Sequence, residues 1–115
     1  MGAKSQRKGR GGELELCRLL QSYGIPAEPG AALNYGKEPD IKGVAGIHCE
    51  CKRAEALRLS EWMAQSEIDS QRFKDGLPAV FFRRSREGWR VVMNLSGWME
   101  LYRSYQPPTG SNHKE

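Results

Sequence analysis

The sequence predicts an α/β fold in which helices flank a mixed central β-sheet. Three segments carry apolar residues at helical spacing, and five shorter segments between them have strand or edge-strand patterns. The resulting order is one helix, three strands, a second helix, two strands and a third helix. That order favours a sheet with helices packed against it.

The 115 residues are enough for one domain. We expect a basic flexible arm at residues 1–10, a single domain at residues 11–106 and a disordered tail at residues 107–115. The arm holds four basic side chains and no acid, and the tail is polar, with few apolar residues to bury.

The first helix is predicted over residues 12–23. Its apolar stripe consists of Leu16, Cys17, Leu20 and Tyr23. Glu13 lies three residues before Leu16, so its carboxylate falls on the same face of the helix. We therefore expect Glu13 to face the core.

Three strand candidates follow this helix. Residues 25–36 contain two prolines and predict an edge strand or a loop, and residues 40–43 predict a short strand. Residues 46–52 alternate with a period of two. One face then carries Ile47, Cys49 and Cys51, and the other carries His48, Glu50 and Lys52.

The second half predicts a helix from Ser60, as N-cap, towards Arg72. Residues 79–84 and 89–95 predict two strands joined as a hairpin, and Ser96 is the expected cap of a third helix. We interpret three large side chains of the second helix as core: Trp62, Met63 and Phe73.

Charge is distributed unevenly along the chain, whose formal net charge is +4. Residues 1–10 and 83–90 each contain four basic side chains, whereas residues 11–75 contain eleven acidic and eight basic ones. Cations around an acidic centre suit a protein that binds a polyanion and uses a metal ion. A solvated basic tail and hairpin is the alternative interpretation.

The cysteines and the hydropathy pattern indicate an intracellular protein without a membrane partner. The chain has three cysteines, no apolar run of spanning length and no apolar stretch in its polar opening. We expect free thiols. A zinc site formed by His48 with Cys49 and Cys51 is disfavoured because the two cysteines point to one side of the strand and His48 points to the other.

Carboxylates near two predicted strands are the candidates for chemistry. Asp40 follows Pro39 at the start of one strand, and Glu50 and Lys52 share a face of the next. Mg²⁺ prefers oxygen ligands, so we expect Asp40 and Glu50 to hold it, with the backbone carbonyl of Cys51 as a further ligand. A lysine beside the ion orients the attacking water and offsets charge on the phosphate.

Two short motifs, Pro39-Asp40 and Glu50-Cys51-Lys52, resemble the signature of the PD-(D/E)XK nuclease superfamily. Glu13 stands where that family places an acid on its first helix. The resemblance spans residues 5–84 and implies the αβββαβ core of restriction endonucleases, here followed by a C-terminal strand and helix. The small size and the opening at residues 8–13 are most similar to Holliday junction resolvases of archaeal and phage type.

This resemblance implies a DNA endonuclease that uses Mg²⁺, for which Mn²⁺ substitutes. The implied catalytic residues are Glu13, Asp40, Glu50 and Lys52, with Glu13 also assisting at the metal and Gln65 similar to an assisting glutamine of some members. It further implies a homodimer that cuts four-way junctions, and a phage or prophage origin. The residues expected to contact DNA are Lys4, Arg7, Lys8, Arg10, Arg53, Arg83, Arg84 and Arg86.

Two other functions stay open from the sequence. One is the same site acting as a nuclease or nickase on linear duplex DNA, and the other is a nucleic-acid-binding module without catalysis. In the second case Glu50 and Lys52 form a surface ion pair, Pro39-Asp40 is an ordinary turn and Glu13 only favours the helix N-terminus.

Other side chains also have simpler interpretations. We expect His48 to be an exposed surface histidine, with a phosphate contact as the alternative, and Gln65 has plain helix surface as its alternative. Three late aromatic residues suit a dimer surface or packing on the hairpin: Trp98, Tyr102 and Tyr105.

Overall fold

A five-stranded mixed β-sheet with helices on its faces forms the centre of the molecule. The computed structural model describes residues 2–30 and 37–108. In these residues the elements are α1 (Gly2–Ser22), β1 (Glu28–Pro29), β2 (Ile41–Lys42), β3 (Ile47–Arg53), α2 (Leu59–Phe73), β4 (Leu77–Arg83), β5 (Arg90–Met93) and α3 (Leu95–Ser104).

The strands lie in the order β1-β2-β3-β4-β5. β3 and β4 run parallel, and the other neighbouring pairs are antiparallel. Parallel neighbours need a crossover between them, and α2 provides it. The predicted α/β class with a mixed, helix-flanked sheet is therefore confirmed.

Two apolar clusters hold the helices on opposite faces of the sheet. α1 packs on the face of β3 that carries Cys49, in a cluster with Leu16, Cys17, Leu20, Ala27 and Ile41. α2 covers the other face, where Trp62 and Met63 pack with Val80 and Phe82. The alternation predicted for residues 46–52 thus matches the sheet, because each side chain set meets a different helix.

Gly12 allows α1 to lie directly against β3. A Cβ atom at this position would come within 2.8 Å of Arg53 Cβ, closer than two carbon atoms pack. Any larger residue at position 12 would push the helix away from the strand.

The helix starts differ from those predicted. α1 begins at Gly2, so it includes residues 2–10, which the sequence assigned to a basic arm. The division of the chain into arm, domain and tail stays a prediction. Residues 31–36, the end of the predicted edge strand or loop, and residues 109–115 lie outside the described part of the chain.

The predicted serine caps are wrong. α2 begins one residue before Ser60, with Arg58 as N-cap, and α3 begins before Ser96, with Asn94 as N-cap. Neither Arg58 nor Asn94 makes a side-chain hydrogen bond to the helix that follows it. A side-chain cap contributes only about 1 kcal/mol, and most of the stability of a helix in a protein comes from the packing of its apolar face. None of the described helices is long and apolar enough to cross a membrane.

Candidate active site

The Asp40 side chain is hydrogen-bonded to the strand that carries Glu50 and Lys52. The backbone N–H of Cys51 donates to Asp40 Oδ2 over 3.0 Å. β2 pairs with β3 so that Ile41 is opposite Cys49, which brings Asp40 level with Glu50 one residue further on. Opposite residues in an antiparallel pair point to the same side of the sheet. Asp40 and Glu50 therefore share the face that α2 covers.

Burial raises the pKa values of both carboxyl groups, and the negative charge of Asp69 raises them further. For Asp40 burial is the largest cause, opposed by the Cys51 N–H and by the positive charge of Lys52. For Glu50 burial is again the largest cause, opposed by a hydrogen bond from His48 and reinforced by the charge of Asp40. Lys52 is thus close enough to act electrostatically on Asp40, as the sequence predicts for neighbours in one site.

These carboxylates fit a divalent cation. Glu50 is only 5 % exposed, and burial and the charge of Asp40 both disfavour its ionised form, which His48 offsets only in part because the pKa of Glu50 stays raised. Carboxylate oxygens are the ligands that Mg²⁺ prefers. A dication shared by Asp40 and Glu50 would offset both the burial and the repulsion.

Glu13 reaches the sheet from the opposite side. It lies half-buried on α1, and its negative charge contributes to the raised pKa of the Cys51 thiol, for which burial is the main cause. The inward orientation predicted for Glu13 agrees with this position. Its participation in metal binding with Asp40 and Glu50 stays a prediction, as does that of the Cys51 carbonyl.

His48 is buried, so the prediction of an exposed histidine is wrong. Its ring is 0 % exposed and stacks on Phe73 of α2, with ring centroids 6.3 Å apart. Nδ1 lies 2.8 and 2.9 Å from the two carboxylate oxygens of Asp75, and Nε2 lies 2.8 Å from Glu50 Oε1. The physical reason is that α2 and the turn after it cover this face of β3.

The pKa of His48 is raised above its ordinary value. Burial is the largest single influence and lowers it, but the hydrogen bonds to Glu50 and Asp75 and the charges of these acids together outweigh the burial. Because carboxylates only accept hydrogen bonds, contacts from both ring nitrogens favour the imidazolium form. His48 therefore places a positive charge against Glu50.

Two further acids near this site were missed by sequence reasoning. Asp69 of α2 lies with His48 and Glu50 in a group whose potential metal-binding atoms are all within 4.8 Å of one another. Its spacing of seven residues from Trp62 places it on the inward stripe of α2, and that signal was present in the sequence. Asp75 follows the end of α2 and carries no periodic signal.

Gln65 lies on the exposed side of α2 and donates from Nε2 to Asp69 Oδ1 over 3.0 Å. It is therefore connected to the acidic group through Asp69. An assisting role for Gln65 stays a prediction.

Some of the basic residues predicted to contact DNA already form hydrogen bonds and ion pairs within the protein. Arg83 Nε lies 3.0 Å from Glu15 Oε2, and Arg83 Nη1 donates to the Glu87 carbonyl over 2.8 Å. Arg53 donates to Glu55 and Ser85 over 3.1 and 3.2 Å. Both guanidinium groups thus link elements of the fold.

Arg84 and Arg86 lie at the β4–β5 turn. Arg84 Nε is 3.9 Å from Glu87 Oε2, a long ion pair, and Arg86 is exposed with a φ of 67°. Arg86 is the better placed of the two for a phosphate contact. The side chains of Lys4, Arg7, Lys8 and Arg10 lie outside the described residues.

Trp98, Tyr102 and Tyr105 form a stacked, exposed row along α3. Their ring centroids are 5.0 and 6.2 Å apart in sequence order, and the three side chains are 48, 55 and 57 % exposed. Packing on the hairpin does not bury them. A dimer surface stays the prediction for this row.

Comparison with known proteins identifies the fold. No family model matches the chain, and no curated protein matches it. Among solved structures, the chain is similar to Hjc, a Holliday junction resolvase from the archaeal hyperthermophile Archaeoglobus fulgidus. The two are 24 % identical with a TM-score of 0.55, and the match covers 75 % of this chain and 72 % of that chain. The mixed sheet with flanking helices is therefore a fold that this chain shares with Hjc.

Proposed function

We propose that this protein is a Mg²⁺-dependent DNA endonuclease that resolves Holliday junctions or other branched DNA. The main support is the position of Asp40, Glu50 and Lys52 on adjoining strands of a fold similar to that of a resolvase. Phosphodiester hydrolysis needs a cation to stabilise charge and a group to orient water. The three side chains supply the corresponding residue types.

Asp40 and Glu50 are the proposed ligands of Mg²⁺ or, in its place, Mn²⁺. The backbone carbonyl of Cys51 is the proposed additional ligand. Glu13, which approaches the sheet from the α1 side, is proposed to assist through a bridging water. An ion held there would supply a lowered pKa for a bound water and would offset the charge that develops on the phosphate. The hydrogen bond from Cys51 N–H leaves Asp40 fixed on the Glu50 side of the sheet.

Lys52 is the proposed catalytic residue for orienting that water. Its charge also acts on Asp40, which supports a position beside the metal ligands. His48 contacts Glu50 Oε1 and so limits the rotation of the Glu50 carboxylate. Fixing a ligand in this way lowers the entropy lost when the ion and the phosphate bind.

DNA is the proposed partner, held through its phosphates and without reading of base sequence. Arg86 and Arg84 at the β4–β5 turn and the four basic residues of positions 1–10 are the proposed contacts. A homodimer is the proposed assembly, since cutting a four-way junction symmetrically takes two active sites. We expect the protein to act inside a cell, on DNA of the cell or of a phage.

A cleavage panel tests this function. The full-length protein is incubated with labelled four-way junction, linear duplex of the same arm sequence and single strand, each with Mg²⁺, Mn²⁺ or EDTA. We expect cleavage of the junction in either metal and none in EDTA. Lys52→Ala, purified in the same way, controls for contaminating nucleases.

Each contrary outcome has a definite meaning. Cleavage of duplex and junction at equal rates would replace the junction resolvase by a nuclease of linear DNA. Tight DNA binding without cleavage of any substrate would replace the enzyme by a binding module.

A further inference from the structure

We propose that His48, Glu50 and Asp69 form a binding site for a divalent transition-metal ion, with Asp75 as the residue that orients His48. This site shares Glu50 with the proposed catalytic Mg²⁺ site and takes its other two donors, His48 and Asp69, from residues not proposed as ligands there. It extends the proposed function by a second ion, and its evidence does not depend on nuclease activity.

The donor atoms already lie close together. One ligand atom from each of the three residues is within 4.8 Å of the others. Ligands at about 2.1 Å from a common ion are at most about 4.2 Å apart. A small closure of the Asp69 side chain therefore brings all three within bonding distance.

Two of the three donor side chains are buried, and the third connects the site with solvent. His48 is 0 % exposed and Glu50 5 % exposed, whereas Asp69 is only partly buried at the surface of α2. Ions can thus enter from the side of Asp69. Two buried donors of different chemistry, one nitrogen and one oxygen, remain fixed behind it.

Outer partners hold two of the three ligands. Both carboxylate oxygens of Asp75 lie within 2.9 Å of His48 Nδ1, which directs Nε2 towards Glu50. Gln65 donates to Asp69 Oδ1. A carboxylate on the far nitrogen of a histidine is the usual support of a histidine that binds a metal.

The backbone conformation of the turn after α2 determines the position of Asp75. Lys74 has a φ of 51° and Gly76 a φ of 134°, and a Cβ atom at Gly76 would lie 2.3 Å from the Gly46 carbonyl. Leu77 N–H donates to the Gly46 carbonyl over 2.9 Å. This close backbone approach, which requires glycine at position 76, fixes Asp75 beside His48 at the start of β3.

The donor set selects the class of ion. Mg²⁺ prefers oxygen ligands only, whereas imidazole nitrogen suits the first-row transition metals. One nitrogen and two carboxylates therefore favour Mn²⁺ or Zn²⁺ over Mg²⁺. The alternative is a metal-free network in which a protonated His48 bridges Glu50 and Asp75.

Pulsed electron paramagnetic resonance with Mn²⁺ as the probe distinguishes these states, because a coordinating imidazole nitrogen modulates the echo of the bound ion. The metal-free, full-length protein receives one equivalent of Mn²⁺ in the presence of excess Mg²⁺. We expect nitrogen modulation in the wild type and its loss in His48→Gln. His113→Gln, which changes the other histidine of the chain, should keep it.

Calorimetry with Mn²⁺ adds a measurement that does not require substitution of His48. Asp75→Asn should lower the affinity by about 10- to 100-fold, the usual effect of losing an outer partner. Asp69→Asn should lower it by at least about 10-fold, and Glu61→Gln, an exposed acid of the same helix, should leave it unchanged.

Two results would overturn the proposal: absence of nitrogen modulation in the wild type, or unchanged modulation in His48→Gln. Asp40→Asn is expected to keep the modulation, and its loss there would contradict an ion held by His48, Glu50 and Asp69 without Asp40. The measurements contain no DNA, so an inactive protein that shows the nitrogen signal refutes the nuclease and leaves this metal site standing.

Discussion

The backbone N–H of Cys51 donates to Asp40 Oδ2 over 3.0 Å, and this hydrogen bond joins the acid before β2 to the strand that carries Glu50 and Lys52. It satisfies a backbone donor of β3 and at the same time holds the Asp40 carboxylate on the same side of the sheet as Glu50. The same contact therefore serves the fold and the proposed chemistry.

Asp40→Asn should separate these two roles. Asparagine retains an oxygen that accepts the Cys51 N–H, so the fold should persist, while the loss of charge removes a metal ligand. We expect Mg²⁺ affinity to fall markedly and single-turnover cleavage of a four-way junction to slow by at least about 100-fold. Glu38→Gln, an acid of the same loop that pairs with Lys42, is the matched control. Normal Mg²⁺ binding by Asp40→Asn would contradict the assignment.

Lys52→Ala should abolish turnover while DNA binding stays within a few-fold of wild type. The reason is that a single amine contributes little to a phosphate contact surface but is the proposed group that orients water. Cleavage rate and fluorescence anisotropy on the same junction give the two quantities. Equal losses of binding and turnover would indicate that Lys52 binds DNA rather than acting in catalysis.

His48 should make the stability of the metal-free protein depend on pH. Its pKa is raised in the folded state above the ordinary 6.5, so the stabilisation from its contacts with Glu50 and Asp75 is complete below about pH 6.5. It is lost as pH rises through the folded-state pKa. His48→Gln should therefore destabilise the fold most at pH 6, by about 1–3 kcal/mol, and less at pH 9.

Urea unfolding of both proteins in EDTA across this pH range measures the difference. Glu50 and Asp40 have raised pKa values for which burial is the main cause, so ionisation of these groups acts in the same direction, against the fold as pH rises. A cost of His48→Gln that grows towards pH 9 would show that the imidazolium does not bridge the two acids.

Substitution of Arg83 should affect stability, whereas substitution of Arg86 should affect DNA binding, although both residues belong to the same basic segment. Arg83 joins α1 to the β4–β5 turn through Glu15 and the Glu87 carbonyl, so Arg83→Ala should destabilise the fold by about 1–2 kcal/mol. Arg86→Ala should leave stability unchanged and weaken DNA binding, with a smaller dependence of affinity on salt. Urea unfolding and anisotropy over a salt series test both statements. A stable Arg83→Ala protein would contradict the structural role.

The row of Trp98, Tyr102 and Tyr105 should contribute to a homodimer. Burying stacked aromatic side chains that are about half exposed in the single chain is favourable, and α3 carries no charge between them on that face. Tyr102→Ser should shift sedimentation from dimer towards monomer without altering helix content. A wild-type protein that sediments as a monomer at micromolar concentration would refute the dimer.

Local patterns accounted for the fold class and for the side of the sheet on which Glu50 and Asp40 lie. The period-two alternation of residues 46–52 predicted which side chains of β3 share a face, and the structure follows it with Cys49 towards α1 and Glu50 towards α2. Pro39 and Asp40 before a short strand predicted an acid close to Glu50, and β2 pairs with β3 accordingly. Such features follow from backbone geometry over a few residues.

The environment of His48 did not follow from any local pattern. Its burial depends on α2 crossing over the sheet, and its partner Asp75 lies 27 residues away in a turn that requires Gly76 against Gly46. Arg83 likewise finds Glu15 only because α1 packs beside the end of β4. Strand faces and helix stripes are properties of short segments and can be deduced from spacing, whereas the pairing of charges between distant segments arises when the packed elements bring them together.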